Sequence, residues 1–172
     1  LKIMPTPSKL IEASQVIRCV MSSTSLLGSS TIAYMVLNSP RGLQSPHSRI
    51  IFGMSIADIM QSQGFLLSPF VNVAPDALWN VKGGNETVCE AVGSIFSIGS
   101  IAGPLYTFFL IYYFLQRVKY KLKPADFSKQ KKEVWIHVFI WLFPIVFTCY
   151  SLFKKQINYS RYGSVCMIVP KP

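Results

Sequence analysis

The sequence predicts an all-α protein, a transmembrane bundle with four helices in this chain. Three observations predict it. Of the 172 residues, 51% are hydrophobic and only 14% charged, where a soluble domain carries about a quarter charged. Mean hydropathy is +0.38. The apolar residues fall in four long blocks, about residues 14–37, 50–73, 88–115 and 134–153, and roughly 20 such residues cross a hydrocarbon core. A backbone in lipid must satisfy its own hydrogen bonds, and the alternation that builds an outer-membrane barrel is missing, so the blocks are helices. Residues 1–13 then form an outer tail and residues 154–172 an outer loop segment after the fourth helix. None of the blocks has the basic start, short apolar run and small-residue end of a signal peptide. The net charge of +10 would suit nucleic acid on a soluble surface, but here it sits between apolar blocks. That placement makes membrane lipid the partner and excludes nucleic acid.

The first helix reads "SSTSLLGSSTIAYMVL", small and hydroxyl-rich, a composition that permits close packing on a neighbour. The turn "NSPRGLQSPHSR" follows, with prolines and a glycine to end one helix and begin the next. The second helix contains "GMSIADIMQS". Asp58 lies about eight residues in from Ile50, or about 12 Å at roughly 1.5 Å per residue. An acid at that depth costs several kcal/mol on insertion scales, or about 3, so it must face polar partners or water, or carry a proton. Ser55, Gln61, Ser62 and Gln63 extend a polar track beside it. Asp58 reads either as an ion, proton or switch site or as a hydrogen-bonded packing residue. Pro69 kinks or ends this helix.

The third helix has a slim half with Gly93, Gly99 and Gly103, the last two in G-x-x-x-G spacing, and an aromatic half from Tyr106 to Phe114. The glycines favour a tight helix crossing over a ligand cavity. Pro104 should bend the helix midway, and Arg117 closes the apolar run as an interfacial anchor. The fourth helix carries Trp135, suited to the interface, and a deeper Trp141 expected to pack on a neighbour. His137 reads as an interfacial polar residue. His47, in the turn beside Arg49, has no partner acid in sequence. No metal site is expected. Cys19 and Cys149 read as small buried hydrophobes. Motifs of catalysis such as H-E-x-x-H, G-x-S-x-G or a phosphate-cradling glycine loop are missing, so an enzyme is not expected.

Three signals set the orientation. The loops after the first and third helices hold Arg41 and Arg49, and Arg117, Lys119, Lys121, Lys123, Lys129, Lys131 and Lys132; the loop after the second holds only Lys82. Basic short loops stay inside, which leaves the N-terminus outside. The sequons "NET" at Asn85 and "NYS" at Asn158 both fall in outer segments. So do Cys89 and Cys166, thiols that on an oxidising side can pair or stay free.

These pieces resemble the N-terminal half of a rhodopsin-like (class A type) G-protein-coupled receptor, a divergent one. "SIADIM" is similar to that family's leucine-alanine-aspartate motif, with Asp58 as the acid. Cys89, opening the third helix, and Cys166, after the fourth, match the family's outer disulfide. "QRV" at Gln116–Val118 stands where the acid-arginine-tyrosine motif closes the third helix, and Trp135 and Pro144 fit the fourth. The likeness covers about residues 14–170. It departs where Gly28 is followed by serines and Thr31 instead of the family's asparagine, where Gln116 and Val118 replace acid and tyrosine, and where Arg117 lies nearly a turn further from Cys89. The resemblance implies that these are the first four of seven helices of a plasma-membrane receptor. An extracellular ligand would bind between helices. Asp58 and Ser55 would belong to a polar network that holds a sodium ion, and Arg117 and Gln116 would meet a heterotrimeric G protein. Two other readings compete: a complete four-helix structural or accessory subunit of a larger membrane complex, and a transporter piece with Asp58 as proton-coupled acid, for which no inverted repeat is evident.

Overall fold

A computed structural model of the chain describes residues 7–40, 42–71, 86–120, 132–160 and 165–168. Four helices carry it: α1 over Pro7–Asn38, α2 over Pro46–Leu67, α3 over Glu86–Tyr120 and α4 over Lys132–Phe153. Each is long and apolar enough to span a bilayer. Their outer surfaces stay greasy: Leu27, Tyr34, Phe108, Val118, Trp135 and Phe153 are all more than half exposed. A face turned to lipid gains nothing from becoming polar.

Three boundaries differ from the sequence reading. Helix α1 starts at Pro7, inside the segment expected as a tail, because the apolar spacing of Leu10, Ile11 and Val16 continues the helical pattern upstream. His47 lies in the first turn of α2, not in a loop. There Ser45 caps the helix, its Oγ accepting the Ser48 N–H at 3.1 Å, and Pro46 occupies a first-turn position where no N–H is needed. The expected outer loop holds a hairpin, β1 (Ile157–Ser160) paired antiparallel with β2 (Val165–Ile168), with Tyr159 opposite Cys166. At the other end, α2 gives way after Leu67 to a 3-10 turn, Ser68–Val71, that contains Pro69, as expected. The turn between α1 and α2 needs the positive φ of Gly42, 45°.

Helix α3 is the centre of the bundle, packed against α2, α4 and the hairpin. Glycines set how close these approach. A Cβ on Gly99 would stand 2.6 Å from both the Ala57 carbonyl oxygen and the Gln61 nitrogen, so α3 lies directly on the backbone of α2. This is the tight crossing that the G-x-x-x-G spacing predicts. On the α2 side Gly53 receives the Tyr106 ring, and a Cβ on Gly64 would stand 2.5 Å from Phe96 Cβ. Gly103 is different: its space opens toward Asp58 Oδ1, 3.7 Å from where a Cβ would be. The core runs along this crossing: Ile50 and Ala57 from α2, Ala102, Tyr106, Phe109 and Tyr113 from α3, Ile140 from α4. Helix α4 buries only a narrow stripe of Glu133, Ile140, Pro144, Thr148 and Ser151. Cys149, one residue off that stripe, is exposed rather than buried, while Cys19 is half-buried.

The second small core joins Val71, Cys89, Val92 and Cys166. Cys89 and Cys166 form a disulfide across 77 residues of sequence, tying the first turn of α3 to β2. Gly93 lets the hairpin settle there, since a Cβ would stand 2.6 Å from Ile157 Cγ2. Many hydroxyl side chains are satisfied locally, though the buried Thr148 Oγ1 has no hydrogen-bond partner among the described residues. Ser23, Thr24, Thr31, Ser55, Ser68, Ser94, Ser97, Thr107 and Ser151 each donate to the carbonyl four residues back in their own helix.

The crossing makes a specific expectation. Gly99→Leu should cost about 3 kcal/mol, the upper range for overpacking because its neighbours are backbone. Gly28→Leu, with nothing within 4 Å of its Cβ position, should cost almost nothing. Thermal unfolding of the detergent-solubilised variants measures both.

Candidate functional site

Two polar centres lie on α2, one on each side of the Tyr106 contact. The first is Asp58. Its carboxylate is half-buried and has no hydrogen-bond partner among the described residues. It faces two clefts. One, of about 280 Å³, lies between α1 and α2 and is lined by Arg18, Ser22 and Ser25 on one side and Asp58, Gln61, Ser62 and Phe65 on the other. The other, of about 520 Å³, lies between α2 and α3, bordered by Asp58, Gln61, Gly103, Pro104, Thr107, Phe108 and Ile111. Gly103 keeps that second side open. Asp58 thus borders a cleft with polar side chains on its α1 side and one that opens past the exposed Phe108 and Ile111 on its α3 side.

Ser55, placed with Asp58 in the sequence reading, borders neither cleft. It is buried, and its Oγ donates to the Ile51 carbonyl at 3.0 Å. One turn of α2 separates it from the acid, and its hydroxyl already has an acceptor. Gln61 and Ser62 take its place. Arg18 is the residue that sequence reasoning missed. The signal was present: Gln15, Arg18, Ser22, Ser25 and Ser29 recur at alternating three- and four-residue spacing, a polar face on α1. Gln15, Ser22 and Ser29 are buried.

The second centre joins three helices. Arg49 on α2 donates from Nε to Glu133 Oε1 at 2.7 Å and from Nη2 to Oε2 at 2.8 Å, a two-pronged ion pair with α4. Its Nη1 also reaches the carbonyls of Leu43 at 2.8 Å and Gln44 at 3.3 Å, which fixes the α1–α2 turn to the same point. One turn along α4, His137 Nδ1 meets the Tyr106 hydroxyl at 3.1 Å. Tyr106 is buried against Gly53 and edges the Trp141 ring at 6.0 Å, the packing expected of Trp141. His137 is therefore a half-buried member of a network near the start of α4. No group of three or more His, Cys, Asp or Glu that could hold a metal occurs among the described residues.

Arg117, at the last turn of α3, is exposed and lies over the Tyr113 ring at 5.9 Å from its centroid, with Gln116 half-buried beside it. This is the same end as the Arg49 centre, because Tyr113 also meets His47 in the first turn of α2, at 6.4 Å. The disulfide and hairpin lie at the opposite end. Asn158 is on β1, opposite Met167, whereas Asn85 lies outside the described residues.

No family model matches the chain, and neither does a curated protein or a solved structure. Function must therefore be argued from these two centres and the disulfide.

The Arg49 centre predicts a large effect from a small change. Glu133→Gln keeps shape but removes the two charge-assisted hydrogen bonds to Arg49, and should lower stability by roughly 2 kcal/mol. Chemical unfolding in detergent micelles, compared with Glu90→Gln on the same helix bundle, gives the difference.

Proposed function

We propose that the chain is the N-terminal, four-helix part of a divergent rhodopsin-like G-protein-coupled receptor. In this reading it lies in the plasma membrane with its N-terminus outside, binds an extracellular ligand between its helices and signals through a heterotrimeric G protein. The observation that carries the reading is the disulfide from the first turn of α3 to the segment after α4. Disulfides persist on the oxidising side of a membrane, which supports an outer position for the hairpin, the Asn158 sequon and the start of α1 in this reading. Arg117, Gln116 and the basic third loop then face the cytoplasm, in accord with the positive-inside rule.

Asp58 supplies the switch in this reading. It is an acid within a span, with a cleft on its α1 side that holds Arg18, Ser22, Ser25, Gln61 and Ser62. A sodium ion beside it would compensate its charge in one state of the bundle, and loss of the ion would accompany the other, so ligand binding would bias a two-state equilibrium. Gln61 and Ser62 are the polar neighbours that would share the ion's shell. Arg117 at the far end of α3 stands where the G protein would dock, its guanidinium held over Tyr113.

Basal signalling tests the proposal without knowledge of the ligand. The protein encoded by the whole reading frame is co-expressed with heterotrimeric G proteins, and nucleotide exchange is measured in sodium chloride and in choline chloride. Sodium should lower basal exchange several-fold, Asp58→Asn should abolish the sodium effect, and Arg117→Glu should remove exchange while surface expression persists. Equal exchange in both salts for wild type and Asp58→Asn, with no G protein activated, would instead favour an accessory membrane subunit.

A further inference from the structure

We propose that Glu133 is the shared carboxylate of a two-position clasp, held by Arg49 in this conformation and taken by His137 when Arg49 leaves. The proposal stands on the geometry of the three helix ends and holds whether or not the chain belongs to a receptor.

Glu133 must keep a partner. Its side chain is only 4% exposed, so an ionised carboxylate there is costly to leave alone. Arg49, by contrast, is 30% exposed. It is the member with a way out, and its stem can carry the guanidinium to the headgroup region. A second partner already stands beside the carboxylate. His137 lies one helical turn after Glu133, with Nε2 3.8 Å from Oε1. That is too long for a hydrogen bond, and Nε2 is buried with no other partner among the described residues.

The imidazole is aimed by its other nitrogen. When the Tyr106 hydroxyl donates to Nδ1, the ring proton belongs on Nε2, directed at Glu133. When the imidazole is protonated, Nε2 still carries a hydrogen. Tyr106 is itself fixed between Gly53 and Trp141. A movement of about 1 Å by the carboxylate closes the gap to hydrogen-bonding distance. Among the described residues, the titratable or charged groups that face this point are Arg49 from α2, Tyr106 from α3, and Glu133 and His137 from α4.

The exchange has a mechanical result. With Arg49 in place, α4 is bound to α2 and to the α1–α2 turn. With His137 in place, the same carboxylate is linked through Tyr106 to α3 alone. The clasp thus releases α4 from α2 and the α1–α2 turn, while the link from His137 to Tyr106 keeps it on α3 and no buried charge is left stranded; such an element has two discrete states.

A mutant cycle tests it on the full chain in lipid nanodiscs. Arg49→Gln and His137→Phe should each lower the unfolding temperature modestly. Together they should lower it by clearly more than the two falls added, because the second loss removes the substitute partner. In a Glu133→Gln background the excess should vanish. Additive losses in the presence of Glu133, or an excess that survives its removal, would overturn the proposal. A milder variant guards against loss of folding. Arg49→Lys keeps the charge but not the two-pronged grip. It should shift the Nε2 resonance of labelled His137 to a hydrogen-bonded position. The chain has only two histidines, so His137→Phe assigns the signal. An unmoved resonance also overturns the clasp.

Discussion

The contact of α3 with the backbone of α2 at Gly99 is the constraint on which the rest of the bundle depends. In lipid there is no hydrophobic force between apolar helices, so their association rests on close packing and on polar contacts. Gly99 provides the closest approach, and Gly53 and Gly64 admit aromatic rings on either side of it. Once this register is set, Asp58 must face the space beside Gly103, and Tyr106 must lie at the level of His137. The two polar centres are therefore consequences of one crossing and not separate inventions. Shifting α3 by a single turn would bring Leu110 to the level of His137 in place of Tyr106.

The two ends of the bundle are held by different chemistry. At one end a covalent bond ties the hairpin to α3. At the other, a charged pair and a hydrogen bond connect α2, α3 and α4. A disulfide does not exchange partners without redox chemistry, while an ion pair with a half-exposed arginine can. The bundle is thus fixed where the hairpin sits and adjustable where the basic loops emerge. That asymmetry suits transmission of a change in one direction along α3, whatever sets it off.

Much of this was legible in the sequence, and the limits have physical causes. The spans follow from length and hydropathy, which lipid imposes strongly. Asp58 stood out because an acid in an apolar run is rare, and the glycine spacing of α3 announced the crossing. Glu133 did not stand out. It follows a run of lysines and opens a helix, where an acid is ordinary, and only the fold brings it to Arg49, 84 residues away. Arg49 itself carried the positive-inside signal and gave no hint of a buried partner. Ser55 lies one turn from Asp58, but its hydroxyl is committed to the Ile51 carbonyl, a bond that sequence alone does not show. Cys149 misled because lipid accepts an exposed thiol as readily as a core does. The hairpin escaped notice since two four-residue strands have too little pattern to register.

The hydroxyls that donate within their own helices bear on how the protein is made. A serine whose proton is already given to a carbonyl one turn back presents little unsatisfied polarity to the bilayer. In helix α1, Ser23, Thr24 and Thr31 are masked in this way before any other span arrives. Gln15 and Arg18 on the same helix, like Arg49, Asp58 and Glu133 further along the chain, are the groups that gain from the arrival of a neighbouring span.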